Sequence, residues 1–210
     1  AYTSGVLAAF MDENIKFPYV IGVSAGANNG ANFVAEQRER NKKVFVDYVN
    51  HEDYSGFKHW VACRSFFNID FLFDTLPNDL VPFDYETFSK SSTTFKVCVT
   101  ECMTGQPVYF EKSQFDGVEF MRDVLRASSS LPIISQPVRI NGKLYFDGGI
   151  TDSIPLEKSI EDGNKYNVVV LTRNEGYRKE PQTLGLYSRH YLKQYPKILH
   201  AIEARHIKYN

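Results

Sequence analysis

At 210 residues, 43% of them hydrophobic, the chain is long enough to bury a substantial core and fits one domain of α/β size. Its 24 basic and 25 acidic residues leave a net charge of −1, which excludes the electrostatic footprint of a nucleic-acid binder. No run approaches the roughly 20 apolar residues of a membrane-spanning helix, and no leader-like segment opens the chain. Cys63, Cys98 and Cys102, without a C-x-x-C pair, suggest reduced thiols and a cytoplasmic setting rather than a disulfide framework or a zinc site.

Tyr2 to Asn14 carries Val6, Leu7, Phe10 and Met11 at helical spacing and reads as an amphipathic helix. Phe17 to Val23 follows as a strand and runs through Gly22-Val23-Ser24-Ala25-Gly26 into a small-residue helical segment, Ala25 to about Arg38. A strand, a sharp turn on a serine and a helix make a nucleophile elbow. Such a turn needs a strained serine backbone and small residues on either side, so Gly22 and Gly26 are assigned the close approach of strand and helix. The helix N-terminus and the Ala25 N–H then face any negative charge that develops beside Ser24. Taken alone the pattern also fits a glycine-rich turn with a capping serine; the flanking strand and helix favour the elbow.

The charged stretch from Glu36 to Lys43 reads as a solvated helix end, and Lys43 to Asn50 fits strand or helix equally. Aromatic residues then crowd the chain from Phe57 through Trp60, Phe71 and Phe83 to Phe88, broken by Pro77 and Pro82. This is too irregular for one element and too apolar for a free loop, so it is either an acyl-chain groove or lid, or a peripheral layer packed on the sheet.

Phe95 to Thr100 alternates as a strand, with Pro107 to Glu111 as its hairpin partner. Val118, Met121, Val124 and Leu125 mark a helix that stops at the serine run before Pro132. Gln136 to Ile140 and Lys143 to Phe146 flank Asn141-Gly142, a strong hairpin signal, and the second strand delivers Asp147-Gly148-Gly149. An acid at a strand end, followed by two residues that let a neighbour come close, is where an α/β site holds a general base. Pro155 opens a helix that Gly163 ends, Asn167 to Thr172 reads as a buried parallel strand, and Tyr187 to Asn210 reads as one or two helices. From Arg178 onward seven Lys or Arg accompany two Glu, which suits an exposed basic helix face or peripheral contact with anionic lipid headgroups.

Three ordered motifs resemble the patatin-like phospholipase family: Gly-Val-Ser-Ala-Gly at 22–26, Arg-Ala-Ser-Ser-Ser-Leu-Pro at 126–132, and Phe-Asp-Gly-Gly with a following Ile-Pro at 146–155. Its bacterial members are the nearest match, through Phe-Leu-Phe-Asp-Thr-Leu-Pro at 71–77 and Glu-Cys-Met-Thr-Gly-Gln-Pro-Val-Tyr-Phe at 101–110. The resemblance implies a three-layer α/β/α sandwich around a mixed, mostly parallel sheet, a lipid or ester substrate, and neither cofactor nor metal. It implies a Ser-Asp dyad in place of a triad, with Ser24 as nucleophile and Asp147 as base. Gly22, Ala25 and Gly26 would form the elbow and oxyanion region, with Gly148 and Gly149 supporting the dyad.

The family's Gly-Gly-Gly-x-Arg-Gly loop, which supplies most of its oxyanion donors, would fall just ahead of Ala1. The chain is therefore expected to be one catalytic domain, residues 1–210, cut short at both ends. A Ser-His-Asp α/β-hydrolase using His190, His200 or His206 is the alternative enzyme, and a lipid-binding or storage protein of the same fold the non-catalytic one. Oligomeric state has no signal in the sequence.

Overall fold

The computed structural model describes residues 2–56, 58, 59 and 65–210, so expectations placed on Phe57, Trp60 and Cys63 lie outside it. Five strands form one mixed sheet: β1 (Tyr19–Val23), β2 (Thr94–Glu101), β3 (Pro107–Glu111), β4 (Val138–Ile140) and β5 (Lys143–Asp147). The principal helices are α1 (Tyr2–Asp12), α2 (Ala25–Val34), α3 (Arg38–Lys42), the wide π-type α4 (Phe71–Leu80), α5 (Tyr85–Lys90), α6 (Gly117–Ser128), α7 (Leu156–Glu161), α8 (Leu186–Tyr191) and α9 (Pro196–Tyr209).

β2 organises the sheet. β3 lies antiparallel along one of its edges, from Lys96 opposite Glu111 to Thr100 opposite Pro107. The other edge is shared. β1 runs parallel to the first half and ends with Val23 opposite Cys98, whereas β5 runs antiparallel along the second half and ends with Asp147 opposite Val99. Two strands arriving from opposite directions thus stop at adjacent residues of β2, and the chain leaves both at one place. β4 is joined to β5 through Asn141 and Gly142, whose φ angles of 48° and 80° are the left-handed pair that an Asn-Gly hairpin uses.

Side-chain alternation along the strands places a core on each face. Phe95, Val97, Val99 and Tyr145 pack with Ala27, Ala31 and Val34 of α2 and Met121, Val124 and Ala127 of α6. Phe146, one residue on from Tyr145, belongs to a second core with Ile150, Leu192, and Ile198 and Ile202 of α9. The result is helices, mixed sheet, helices, the expected three-layer arrangement.

The helix expected from Ala25 to Arg38 ends at Val34, because Glu36 takes a φ of 55° and the chain restarts as α3. Lys43 to Asn50 is helical, in π and 3-10 turns. Asn167 to Thr172 forms no strand: Val168, Val169 and Leu171 are 64%, 41% and 56% exposed. An apolar run becomes a strand only where a neighbour takes up its N–H and C=O groups, and none of the described strands lies alongside this one. Parallel pairing is consequently confined to β1 and β2, the other described pairs being antiparallel. Of the aromatic segment, Phe71 and Leu76 build a small core with Val44 and Tyr54, while Phe73 and Phe88 reach the main core, so the segment packs as a layer.

Candidate active site

Ser24 occupies the turn between β1 and α2 with φ 55° and ψ −127°, a backbone region that non-glycine residues avoid and that costs about 1–3 kcal/mol. Its neighbours hold it there. A Cβ on Gly22 would lie 2.6 Å from both N and Cα of Ala27, so only glycine lets the strand close on the helix. Gly26 is different: a Cβ there meets nothing within 4 Å, and the close approach assigned to both glycines belongs to Gly22 alone.

Three polar side chains complete the brace. The Ser24 N–H donates to Ser128 Oγ at 2.9 Å, and Ser128 Oγ donates to the Cys98 carbonyl at 2.7 Å, which ties the elbow to α6 and to the middle of β2. Asn28 Nδ2 bridges the Ser24 carbonyl at 3.1 Å and Ser129 Oγ at 3.0 Å. Sequence reasoning gave Asn28, Ser128 and Ser129 no role; the serine run at 128–130 was visible as a motif, but its partner lay a hundred residues away. With the Ser24 N–H engaged, the N–H groups of Ala25 and Gly26, which begin α2 and lack acceptors within it, are the donors left to face an anion beside Ser24.

Asp147 ends β5 and is 2% exposed. Its backbone is fixed at both sides, the N–H donating to the Ser130 carbonyl at 2.8 Å and the carbonyl accepting from Thr100 Oγ1 at 2.9 Å. The carboxylate accepts the Gly149 N–H at 2.7 Å. The Ser24 side chain is a second group acting on this carboxylate, and it lowers the pKa. Burial dominates its acidity and pushes the pKa from 3.8 up to about 6, against the opposing pull of Ser24, the Gly149 N–H and the Arg205 charge. A Cβ on Gly148 would collide with the Cys98 carbonyl, and one on Gly149 would sit 3.0 Å from Asp147 Oδ1, so the Asp-Gly-Gly run is a steric requirement of this turn.

His190 and His200 are exposed on α8 and α9, and His206 Nδ1 faces the Glu203 carbonyl at 3.0 Å. None of these histidines hydrogen-bonds to Ser24 or Asp147. The Cys98 thiol, beneath this site, is kept protonated by burial and by the nearby Asp152 and Asp147 charges. Among the described residues no three His, Cys, Asp or Glu side chains converge as a metal site, and no helix is long and apolar enough to cross a membrane.

A groove among α2, α4 and α6, lined mostly by apolar side chains, includes Asn28, one turn along α2 from Ser24, but neither Ser24 nor Asp147. Ala31, Leu72, Phe73, Leu76, Met121 and Leu125 line it, Arg40 and Arg122 stand in its walls, and its cavity is about 60 Å³. A larger hollow of about 480 Å³ lies around Thr94 and Lys112, at the start of β2, and is lined by neither Ser24 nor Asp147.

The family model for patatin-like phospholipases matches residues 1–159, and the chain belongs to that family. A curated relative, the uncharacterized protein YjjU of Escherichia coli strain K12, is 29% identical over 176 residues, which cover 81% of this chain and 48% of the relative. The chain therefore spans about half the length of that relative. Helices α8 and α9 lie beyond the residues that the family model matches.

Proposed function

We propose that the protein is a serine lipid acyl hydrolase, of phospholipase A or carboxylesterase type, with Ser24 as nucleophile and Asp147 as its base. The observation that carries this reading is the meeting of β1 and β5 on adjacent residues of β2, which brings a strained serine and a buried aspartate to one spot. Asp147 takes the proton of Ser24 Oγ as the oxygen attacks an ester carbonyl, and the carbonyl electron pair moves to oxygen beside the Ala25 N–H. Collapse of this intermediate breaks the ester C–O bond, and the departing alcohol takes the proton from Asp147. Water, deprotonated by the same carboxylate, then attacks the acyl-Ser24 ester, and the fatty acid leaves as Ser24 regains its proton. A pKa near 6 suits a base that is ionised at neutral pH and more basic than an ordinary aspartate.

On this reading the groove that includes Asn28 takes the acyl chain, and its small cavity favours short chains. Leu72→Ala, which widens a half-buried wall, raises the ratio of turnover on p-nitrophenyl octanoate to that on the butyrate about three- to tenfold. A ratio that does not move places the acyl chain elsewhere. The compartment proposed is the cytoplasm, with peripheral membrane contact through the basic C-terminal helices.

The reaction itself is tested by fluorophosphonate labelling of the natural full-length chain, read as intact mass. One adduct is expected on the wild type and none on Ser24→Ala. An unlabelled wild type, or a Ser24→Ala protein that labels as fast, sinks the reading.

A further inference from the structure

Arg205 stands on α9, outside the matched family residues, yet its guanidinium reaches the turn that follows Asp147. Its Nε and Nη2 donate to Ser153 Oγ at 3.3 and 3.2 Å, and Ser153 Oγ in turn donates to the Gly149 carbonyl at 2.7 Å. The space over Gly149 shows how near the charge comes. A single point there, where a Cβ would stand, is 3.0 Å from Asp147 Oδ1 and 3.3 Å from Arg205 Nη2. Guanidinium and carboxylate face each other across the one glycine that leaves the gap open.

Two features set Arg205 apart from a surface arginine. Among the described residues it forms no ion pair, so its charge is not taken up by another carboxylate, whereas Arg189 on α8 is bound to Glu203. Its helix is also anchored, because Ile198 and Ile202 are buried against the core that holds Phe146 and Ile150 on either side of the Asp-Gly-Gly turn. The same core therefore fixes both the aspartate and the cation that faces it.

We propose that Arg205 is a positioning residue of this site, holding Asp147 ionised and aimed at Ser24 by its charge across Gly149 and by its link through Ser153 to the Gly149 carbonyl. The proposal rests on the reading of Ser24 and Asp147 as the reacting pair. It extends the site beyond the matched family residues, to α9. Burial raises the pKa of this carboxyl, and the groups around it pull against that rise. Around it stand the Ser24 hydroxyl from the elbow, the Gly149 N–H from its own turn, the neutral Cys98 thiol from β2, and Arg205 from α9. Asp152 acts from the same turn on Cys98. Lys179 feels the charges of both Arg205 and Arg173. Lys208, further along α9, lies 3.8 Å from Glu157.

The test is the pH dependence of fluorophosphonate labelling of Ser24 in the full-length chain, for wild type, Arg205→Gln, Arg205→Lys and Ser153→Ala. Wild type is expected to lose reactivity as pH falls through about 6. Arg205→Gln moves this acid limb up by about one pH unit, so that labelling below the limb drops about tenfold, because removing a nearby positive charge favours the neutral acid. Arg205→Lys, which keeps the charge, returns most of the limb, and Ser153→Ala, which frees the guanidinium from the Gly149 carbonyl, shifts the limb in the same direction as Arg205→Gln but by less. A limb that stays put in Arg205→Gln, with labelling slowed equally at every pH, overturns the proposal and leaves Arg205 a strut. The same holds if Arg205→Lys is folded but shifted as far as Arg205→Gln. A wild type that takes no label at all instead refutes the Ser24 and Asp147 reading, and this inference falls with it.

Discussion

Asp147→Asn slows labelling of Ser24 about 10³-fold and at the same time makes the protein more stable at neutral pH. The first effect is loss of the base: an amide at this position can still accept the Gly149 N–H but cannot take a proton from Ser24. The second follows from where the carboxyl is kept. Its folded pKa of about 6 stands above the 3.8 of an exposed aspartate because burial penalises the charge. Between those values the native state holds the proton more tightly than the unfolded chain does, so stability falls as pH rises through the window from about 4 to 6. Above it the full penalty applies, about 3 kcal/mol at this separation of pKa values.

Asparagine never carries that charge. The variant is expected to gain up to about 3 kcal/mol at pH 8, some 6–10 °C in unfolding midpoint for a chain of this size, and to gain nothing at about pH 3.5. Thermal unfolding of both proteins at the two pH values measures it. A variant that is less stable than wild type at pH 8, and by more than at pH 3.5, would mean that the ionised carboxylate is a native contact worth keeping, and that its role as a strained base is wrong. The opposite signs of the activity and stability effects are what distinguish a functional buried acid from a structural one.

How much of this was legible in the chain depends on how far apart the cooperating residues are. The elbow could be read because Gly22, Ser24 and the strand before them are consecutive, and a turn that tight has few sequence solutions. Asp147 could be read because Asn141-Gly142 fixes a hairpin whose second strand must end at the acid. Gly26 shows the limit even of local reasoning: its spacing from Ser24 matches that of Gly22, yet only Gly22 faces the backbone of Ala27. The break after α2 turns on Glu36 adopting a left-handed conformation, for which glutamate gives no signal. The strand expected at 167–172 failed for a tertiary reason, since Val-Val-Val-Leu has the propensity but no described neighbour to pair with. Ser128 and Arg205 were invisible because each acts on a residue many tens of positions away, where side-chain periodicity carries no information.

Ser128 leads to the other large effect. Ser128→Ala removes, with one oxygen, the acceptor of the Ser24 N–H and the donor to the Cys98 carbonyl, in a spot with no solvent exposure. Each orphaned buried group costs about 1–3 kcal/mol, so a loss of about 2–6 kcal/mol in urea unfolding is expected. Reactivity should fall further than stability alone explains. The φ of 55° at Ser24 is tolerated only while something holds its N–H, and release of that bond lets the turn relax and swing the hydroxyl away from Asp147. Labelling is expected to drop about 10²-fold in protein that is still folded, as a misplaced nucleophile of this kind would give. Ser129→Ala serves as the control, because it removes the acceptor of one Asn28 N–H and a donor to the Leu125 carbonyl, which still accepts the Ser129 N–H, while the Ser24 carbonyl keeps its donors; about 1 kcal/mol and little change in labelling are expected. If folded Ser128→Ala labels at the wild-type rate, the strained serine is held by the packing of Gly22 against Ala27 alone, and the serine motif owes its place to the sheet rather than to the nucleophile.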